Sequence, residues 1–432
     1  MNRNTIVQNN DAQKTGWKSA WLEESRAGRV VFLTALLIYT GIMLYLFIMQ
    51  CFEVPVFRSD MPDYVKEVAG IKGDYEFPYP LFFVTAKIFA VIMGAPVAVA
   101  VVTALYNSFG LCVAKYYMGR EVKTFVNYKG LSKNKHVAID IAVTVAVFVL
   151  FLLSHLYSPK NTAFFGFDYA YRCMGIYTPN PFWNATYMAT RPFAIICFFE
   201  AARVLREYEK DFSWKNCMLF AVSLFLTTLA KPSYTLVILP LLAIILIFHL
   251  IRSKGKSFRN AFYFCVTMIP TGLALLYQYS GVFTGINVMG EETGIGIAFA
   301  KVWSNYSKNI PLSILMGMAL PIGVLVINYK EFLKNYIYRF AWWNYLVGMI
   351  MFLLLYEKGF RMLHANFSWG YMHGMFAVFF ITLILVIKNT IQWWKSYKMV
   401  FVAAEWAVLL YHLVCGINFL VYALGGNDLA GF

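Results

Sequence analysis

The stretch from Phe52 to Pro80 concentrates carboxylates. Glu53, Asp60, Asp63, Glu67, Asp74 and Glu76 are six of the chain's 22 acids. Asp60 and Asp63 stand three apart, and Asp63 and Glu67 four apart. That spacing puts Asp63 and Glu67 on one face of a short helix capped by Ser59 or Asp60. A carboxylate held this way can take a proton from a hydroxyl as it attacks, the work of a general base. Two such carboxylates can instead hold a hard divalent cation, Mg2+ or Mn2+, through oxygen ligands. A solvated acidic loop with a helix cap is the plainer alternative to both.

Three other segments carry groups suited to an anionic, sugar-bearing ligand. Lys231-Pro232-Ser233 separates the apolar runs 217–230 and 233–251. Asn216–Ala230 would span roughly 22 Å as a helix, short of the roughly 30 Å of bilayer hydrocarbon. Lys231 is therefore expected below the headgroups unless its long stem snorkels outward. An ionisable group at such depth calls for a partner, and a phosphate would serve. The stretch Asn180–Pro192 places Asn184 and Thr186 among aromatics, with Arg191 able to fork onto a phosphate. The stretch Glu357–Tyr371 supplies Arg361 for phosphate and His364, Asn366 and Trp369 for a sugar. An interfacial aromatic belt with ordinary loop polar groups is the competing description of both stretches.

These groups must be held by membrane helices. Hydrophobic residues make up 60% of the 432 and charged residues only 14%, against about 25% charged in soluble domains. The mean hydropathy is +0.59. That excludes an ordinary soluble enzyme and a disordered chain, and the long continuous apolar runs exclude a β-barrel. Eleven runs read as helices: 30–51, 81–106, 137–157, 186–204, 217–230, 233–251, 260–280, 310–328, 340–356, 371–387 and 400–423. The expectation is an all-α polytopic integral membrane protein of about eleven transmembrane helices with no separate soluble domain. The seven cysteines are scattered without a CxxC and read as small hydrophobes.

Orientation follows from the basic residues. With the N-terminus cytoplasmic, 25 of the 37 Lys and Arg fall in cytoplasmic segments and 11 in outer ones. The chain then divides into a cytoplasmic segment 1–29, a transmembrane domain 30–423 and an outer tail 424–432, with 52–80 as the first outer loop. The net charge of +15 suits anionic lipid rather than nucleic acid. In the outer loop 281–309, five glycines suggest a lid, with an amphipathic helix near Ile297–Trp303.

An acid shortly after the first span, on the outer face and followed by a short helix, resembles the GT-C superfamily of polytopic glycosyltransferases. The matching stretch is Arg58-Ser59-Asp60-Met61-Pro62-Asp63-Tyr64, within about 30–110. It carries a DxxD at this point and neither a paired DE nor a DxD, so the resemblance names no subfamily. The resemblance implies a hexosyltransferase-class enzyme that moves a sugar from a polyprenyl-phosphate donor to a cell-envelope glycan or lipid-linked acceptor. It implies Asp60 or Asp63 as the base, with Arg191, Lys231 and Arg361 around the departing phosphate. No cofactor is required by the sequence, although Asp60 and Asp63 leave room for Mg2+ or Mn2+. The expected partners are the donor, the acceptor and the lipids of a cell membrane. The same cations would also suit a transporter or flippase, or a polymerase, of lipid-linked saccharides.

Overall fold

The computed structural model describes residues 24–52, 56–73, 77–156, 178–282, 293–307 and 309–427. Glu53, Asp74 and Glu76, most of the segment 1–29 and the tail from 428 lie outside the described residues. The chain is an all-α, multi-pass membrane protein. Its helices are α1 (Arg26–Phe52), α2 (Met61–Ala69), α3 (Pro80–Met93), α4 (Ala95–Val122), α5 (Lys133–Leu150), α6 (Ala185–Glu207) and α7 (Trp214–Ala230). There follow α8 (Ser233–Arg252), α9 (Phe258–Val266), α10 (Ile269–Val282), α11 (Ile310–Ile327), α12 (Tyr336–Leu354), α13 (Ser368–Gln392) and α14 (Met399–Leu424). Among the described residues the only sheet is a two-stranded antiparallel ribbon, β1 (Ile295–Ile297) on β2 (Leu355–Glu357).

Among the described residues, seven helices are long and apolar enough to cross a membrane, or eight if α9 and α10, bent by 49°, form one span. Of the other expected runs, 186–204 and 217–230 are helical throughout, whereas 137–157 is helical only to Leu150. However, α3 and α7 have only 14 and 17 residues. Charge sets α5 and α6 apart: α5 carries Lys133, Lys135 and Asp140, and α6 carries Arg191, Glu200, Arg203, Arg206 and Glu207.

The run 81–106 is not one helix. Gly94, at φ 78°, breaks it. Residues 85 and 106 would lie roughly 30 Å apart along a straight helix. Instead the Thr85 and Tyr106 hydroxyls are 3.2 Å apart, so α3 folds back along α4. The conformation at Gly94 is open to a glycine and strained for any other residue.

The interior is built on α6 and α13, whose residues are almost all buried. Close packing of α13 depends on glycine. A Cβ on Gly374 would meet the Tyr345 Cα of α12 at 2.8 Å, and one on Gly370 would meet the Ser233 carbonyl oxygen of α8 at 2.6 Å. With no hydrophobic force between helices in lipid, such close backbone approach supplies much of the packing energy. Asparagine caps start three helices. Asn184, Asn309 and Asn335 accept the backbone N–H of Tyr187, Leu312 and Tyr338, satisfying donors that the first turn leaves free.

Candidate functional site

Four segments meet at one end of the bundle: the start of α2, the start of α6, the α7–α8 turn, and the connection from β2 to α13. Asn184 joins three of them. As the N-cap of α6 its Oδ1 accepts the Tyr187 N–H at 2.8 Å and the Thr186 hydroxyl at 2.9 Å. The same oxygen accepts Lys231 Nζ at 3.2 Å. An amide's two ends are ordinarily ambiguous, but here the cap fixes the oxygen. Nδ2 must then face the other way, and it donates to Asp60 Oδ2 at 2.7 Å. One buried amide thus bridges an acid and a cation that lie 171 residues apart in sequence.

Lys231 follows the last residue of α7 in an extended conformation. It does not snorkel: it is 8% exposed, and its ammonium lies 4.1 Å from the centre of the Trp369 ring. Burial pushes its pKa down to about 7. Asp60 and Glu357 oppose that shift, and Arg361 adds to it. Asp60 is half-buried. Burial raises its carboxyl above the usual range, while Asn184 and Lys231 pull it back. Tyr64, one turn along α2, brings its hydroxyl within hydrogen-bonding reach of Asp60 and Thr186.

The far wall comes from the β2–α13 connection. Glu357 Oε2 accepts Asn366 Nδ2 at 2.7 Å and Arg361 Nε at 3.1 Å. The ribbon fixes Glu357, which pairs in register with Ile295. A Cβ on Gly296 would meet the Tyr356 ring at 2.2 Å, so a larger residue there would have to displace that ring. The segment expected as an amphipathic helix near Ile297–Trp303 is therefore strand and turn, held by backbone pairing to β2. Tyr79 lies within the fields of Arg361, Glu357 and Asp60 together. Burial, with Arg361 beside it, holds His364 below the ordinary imidazole range, and Asp63 works against that shift.

Among the residues the sequence singles out, Asp60, Asn184, Lys231 and Trp369 are joined by direct contacts, and Arg361 and Asn366 by their shared Glu357. Asp63 forms an ion pair with Lys66 at 3.1 Å, with its side chain 32% exposed. Asp60 and Asp63 are thus engaged by different partners. Arg191 lies apart from them. Seven residues further along α6, about 10 Å deeper, it donates to Asn107 Oδ1 and the Pro179 carbonyl. Its guanidinium is enclosed by the rings of Phe151, Tyr187 and Phe376, with centres 4.8, 5.2 and 5.1 Å away.

The sequence reading passes over Tyr64, Tyr79 and the pairing role of Glu357. Tyr64 could have been found as the residue four positions after Asp60 on the same helical face. Nothing local marks the other two.

These features define a class, that of multi-pass helical membrane proteins with a cluster of paired charges and aromatic rings at one end. No protein-family model, curated protein or solved structure matches the chain.

Proposed function

We propose that the chain is a GT-C-type glycosyltransferase that moves a sugar from a polyprenyl-phosphate carrier to a hydroxyl of a cell-envelope glycan or lipid-linked acceptor. One observation carries the reading. A half-buried carboxylate and a buried amine are held on opposite sides of Asn184, beside a tryptophan face. In this reading the N-terminus is cytoplasmic, the C-terminus is outside, and the Asp60–Lys231 site lies at the outer face of the cell membrane.

The acceptor hydroxyl attacks the anomeric carbon as Asp60 removes its proton. The bond from that carbon to the phosphate oxygen breaks, and the electron pair leaves with the polyprenyl phosphate. Lys231 and Arg361 stand where that charge develops. Fixed cations in a water-poor site stabilise such a leaving group without reorganising. Trp369 offers a flat face to the sugar or the prenyl chain. Each of these steps uses only side chains of this chain.

The test is sugar transfer by the purified protein in lipid nanodiscs. A panel of polyprenyl-phosphate hexoses and pentoses is supplied, and released polyprenyl phosphate is counted. Loss of a general base costs about 10²- to 10⁴-fold. Asp60→Asn should lose that much turnover while binding undecaprenyl phosphate as the parent does. Full transfer by Asp60→Asn would remove Asp60 from the mechanism. Substrate movement across the bilayer without transfer, unaffected by Asp60→Asn, would favour the transport alternative.

A further inference from the structure

We propose that Glu357 sets the charge of the donor, making the site selective for a singly charged phosphodiester over a pyrophosphate. This rests on the proposed function and names the substrate class of that same site.

The site's central charges are arranged as two pairs. Asp60 and Lys231 are bridged by Asn184. Glu357 and Arg361 are in direct contact at 3.1 Å. Lys231 feels the charges of Asp60, Arg361 and Glu357; with both pairs ionised these four groups carry no net charge, and Asp63, which acts on Asp60 and His364, adds a further negative charge beside them. Arg361 is the only guanidinium among these groups, and a guanidinium is the fork that grips phosphate oxygens in pairs. Glu357 already holds its Nε, and it is itself 8% exposed and tied to Asn366. The ribbon keeps it from moving away, because the residue sits at the paired end of β2. A phosphate that comes to Arg361 must therefore be accommodated beside a fixed carboxylate. A phosphodiester brings one negative charge to these two balanced pairs. A pyrophosphate brings at least two, with the second phosphate crowded against Glu357 or Asp60. Like charges brought together in an interface cost several kcal/mol, and discrimination of this kind needs a repulsive element as well as an attractive one.

The experiment compares two probes on the intact protein in nanodiscs: the methyl ester of farnesyl phosphate, which carries one charge, and farnesyl pyrophosphate. Dissociation constants are read from quenching of tryptophan fluorescence, with native mass spectrometry as a second readout. The parent should bind the phosphodiester at least about tenfold more tightly than the pyrophosphate, and each 1.4 kcal/mol corresponds to one such factor. Glu357→Gln is nearly isosteric and retains an acceptor for Asn366. It should tighten pyrophosphate binding about tenfold or more and change phosphodiester binding much less, so that the preference collapses. A parent that binds both probes equally would overturn the proposal, as would a preference that Glu357→Gln leaves intact. Should Glu357→Gln lose its thermal stability, Glu357→Asp supplies the second variant. It keeps the charge but shortens its reach, and it should retain the preference for one charge; loss of the preference in that variant would also overturn the proposal. A parent that binds neither probe overturns the glycosyltransferase reading itself, an outcome distinct from one in which transfer is observed but the charge preference is absent.

Discussion

Replacing Asn184 by Asp separates the two tasks of this residue. Aspartate caps a helix as well as asparagine does, so the start of α6 should hold and its side-chain oxygen should still accept the Tyr187 N–H. The other end changes from a donor to a carboxylate oxygen, 2.7 Å from Asp60 Oδ2 in the parent geometry. Two carboxylates that close cannot both ionise, and they titrate as a pair sharing one proton. With the charge centres about 4 Å apart and an effective dielectric constant near 20, the repulsion is about 4 kcal/mol. That corresponds to about three pKa units, and the nearby Lys231 cation should reduce it to about two. The folded-state pKa of the pair therefore rises. Transfer that needs the ionised base should have its acid limb moved to higher pH by about two units, with the loss of turnover confined to the pH range below the shifted limb. Unfolding should respond in the same sense: a group raised in the folded state stabilises below its unfolded pKa and loses that contribution as pH rises through the folded value. Asn184→Asp should therefore come closest to the parent's stability below about pH 4, the unfolded aspartate value, and be progressively weaker as pH rises to 8. Asn184→Ala loses the cap, at about 1 kcal/mol, and leaves buried polar partners unmatched, at about 1–3 kcal/mol more. It should be destabilised at every pH. The assay is donor turnover from pH 5 to 9 alongside thermal unfolding in detergent. A pH–rate profile for Asn184→Asp that overlays the parent's would refute the bridge between Asn184 and Asp60.

Two further outcomes follow from the same geometry. Lys231, held at about 7 by burial, should lose its proton above that pH, so the donor KM should rise between pH 7 and 9. Lys231→Arg keeps its charge throughout that range and should give a flat KM; an unchanged pH dependence would exclude Lys231 from the phosphate site. Gly374→Ala forces a methyl against the Tyr345 backbone and should cost about 1–3 kcal/mol of stability by overpacking. Per folded molecule its turnover should be unchanged, and a selective loss of turnover would tie the α12–α13 seam to the site rather than to packing alone.

How much of this could be read in advance differs between fold and site. Apolar runs located the helices because lipid leaves helices as the simplest way to satisfy every backbone polar group. The break at Gly94 was hidden for the same reason. Both α3 and α4 are apolar, a lone glycine is tolerated inside a helix, and composition cannot tell a bent run from a straight one. Only the Thr85–Tyr106 contact reveals it. Strand β1 was hidden because its pairing partner lies about 60 residues downstream, and three residues have no period to read.

In the site, residue type carried most of the information and distance carried the rest. Asp60, Lys231 and Trp369 were recognisable because acids, amines and aromatics stand out against apolar sequence. Asn184 was recognisable only as a polar side chain among aromatics, which suggested a sugar ligand. Its cap geometry commits all its polar atoms to the protein, so it positions other groups rather than facing a ligand. Arg191 shows the opposite difficulty. In sequence it belongs with Asn184, on the same helix and seven residues away. A helix converts that separation into about 10 Å of depth and a rotation of nearly two turns, which moves a phosphate-binding candidate into an aromatic enclosure. Short-range spacing tells which residues share a helix face. Which faces converge is set by contacts such as Lys231 with Asn184 and Glu357 with Arg361, and those contacts are decided by the packing of α13 against its neighbours.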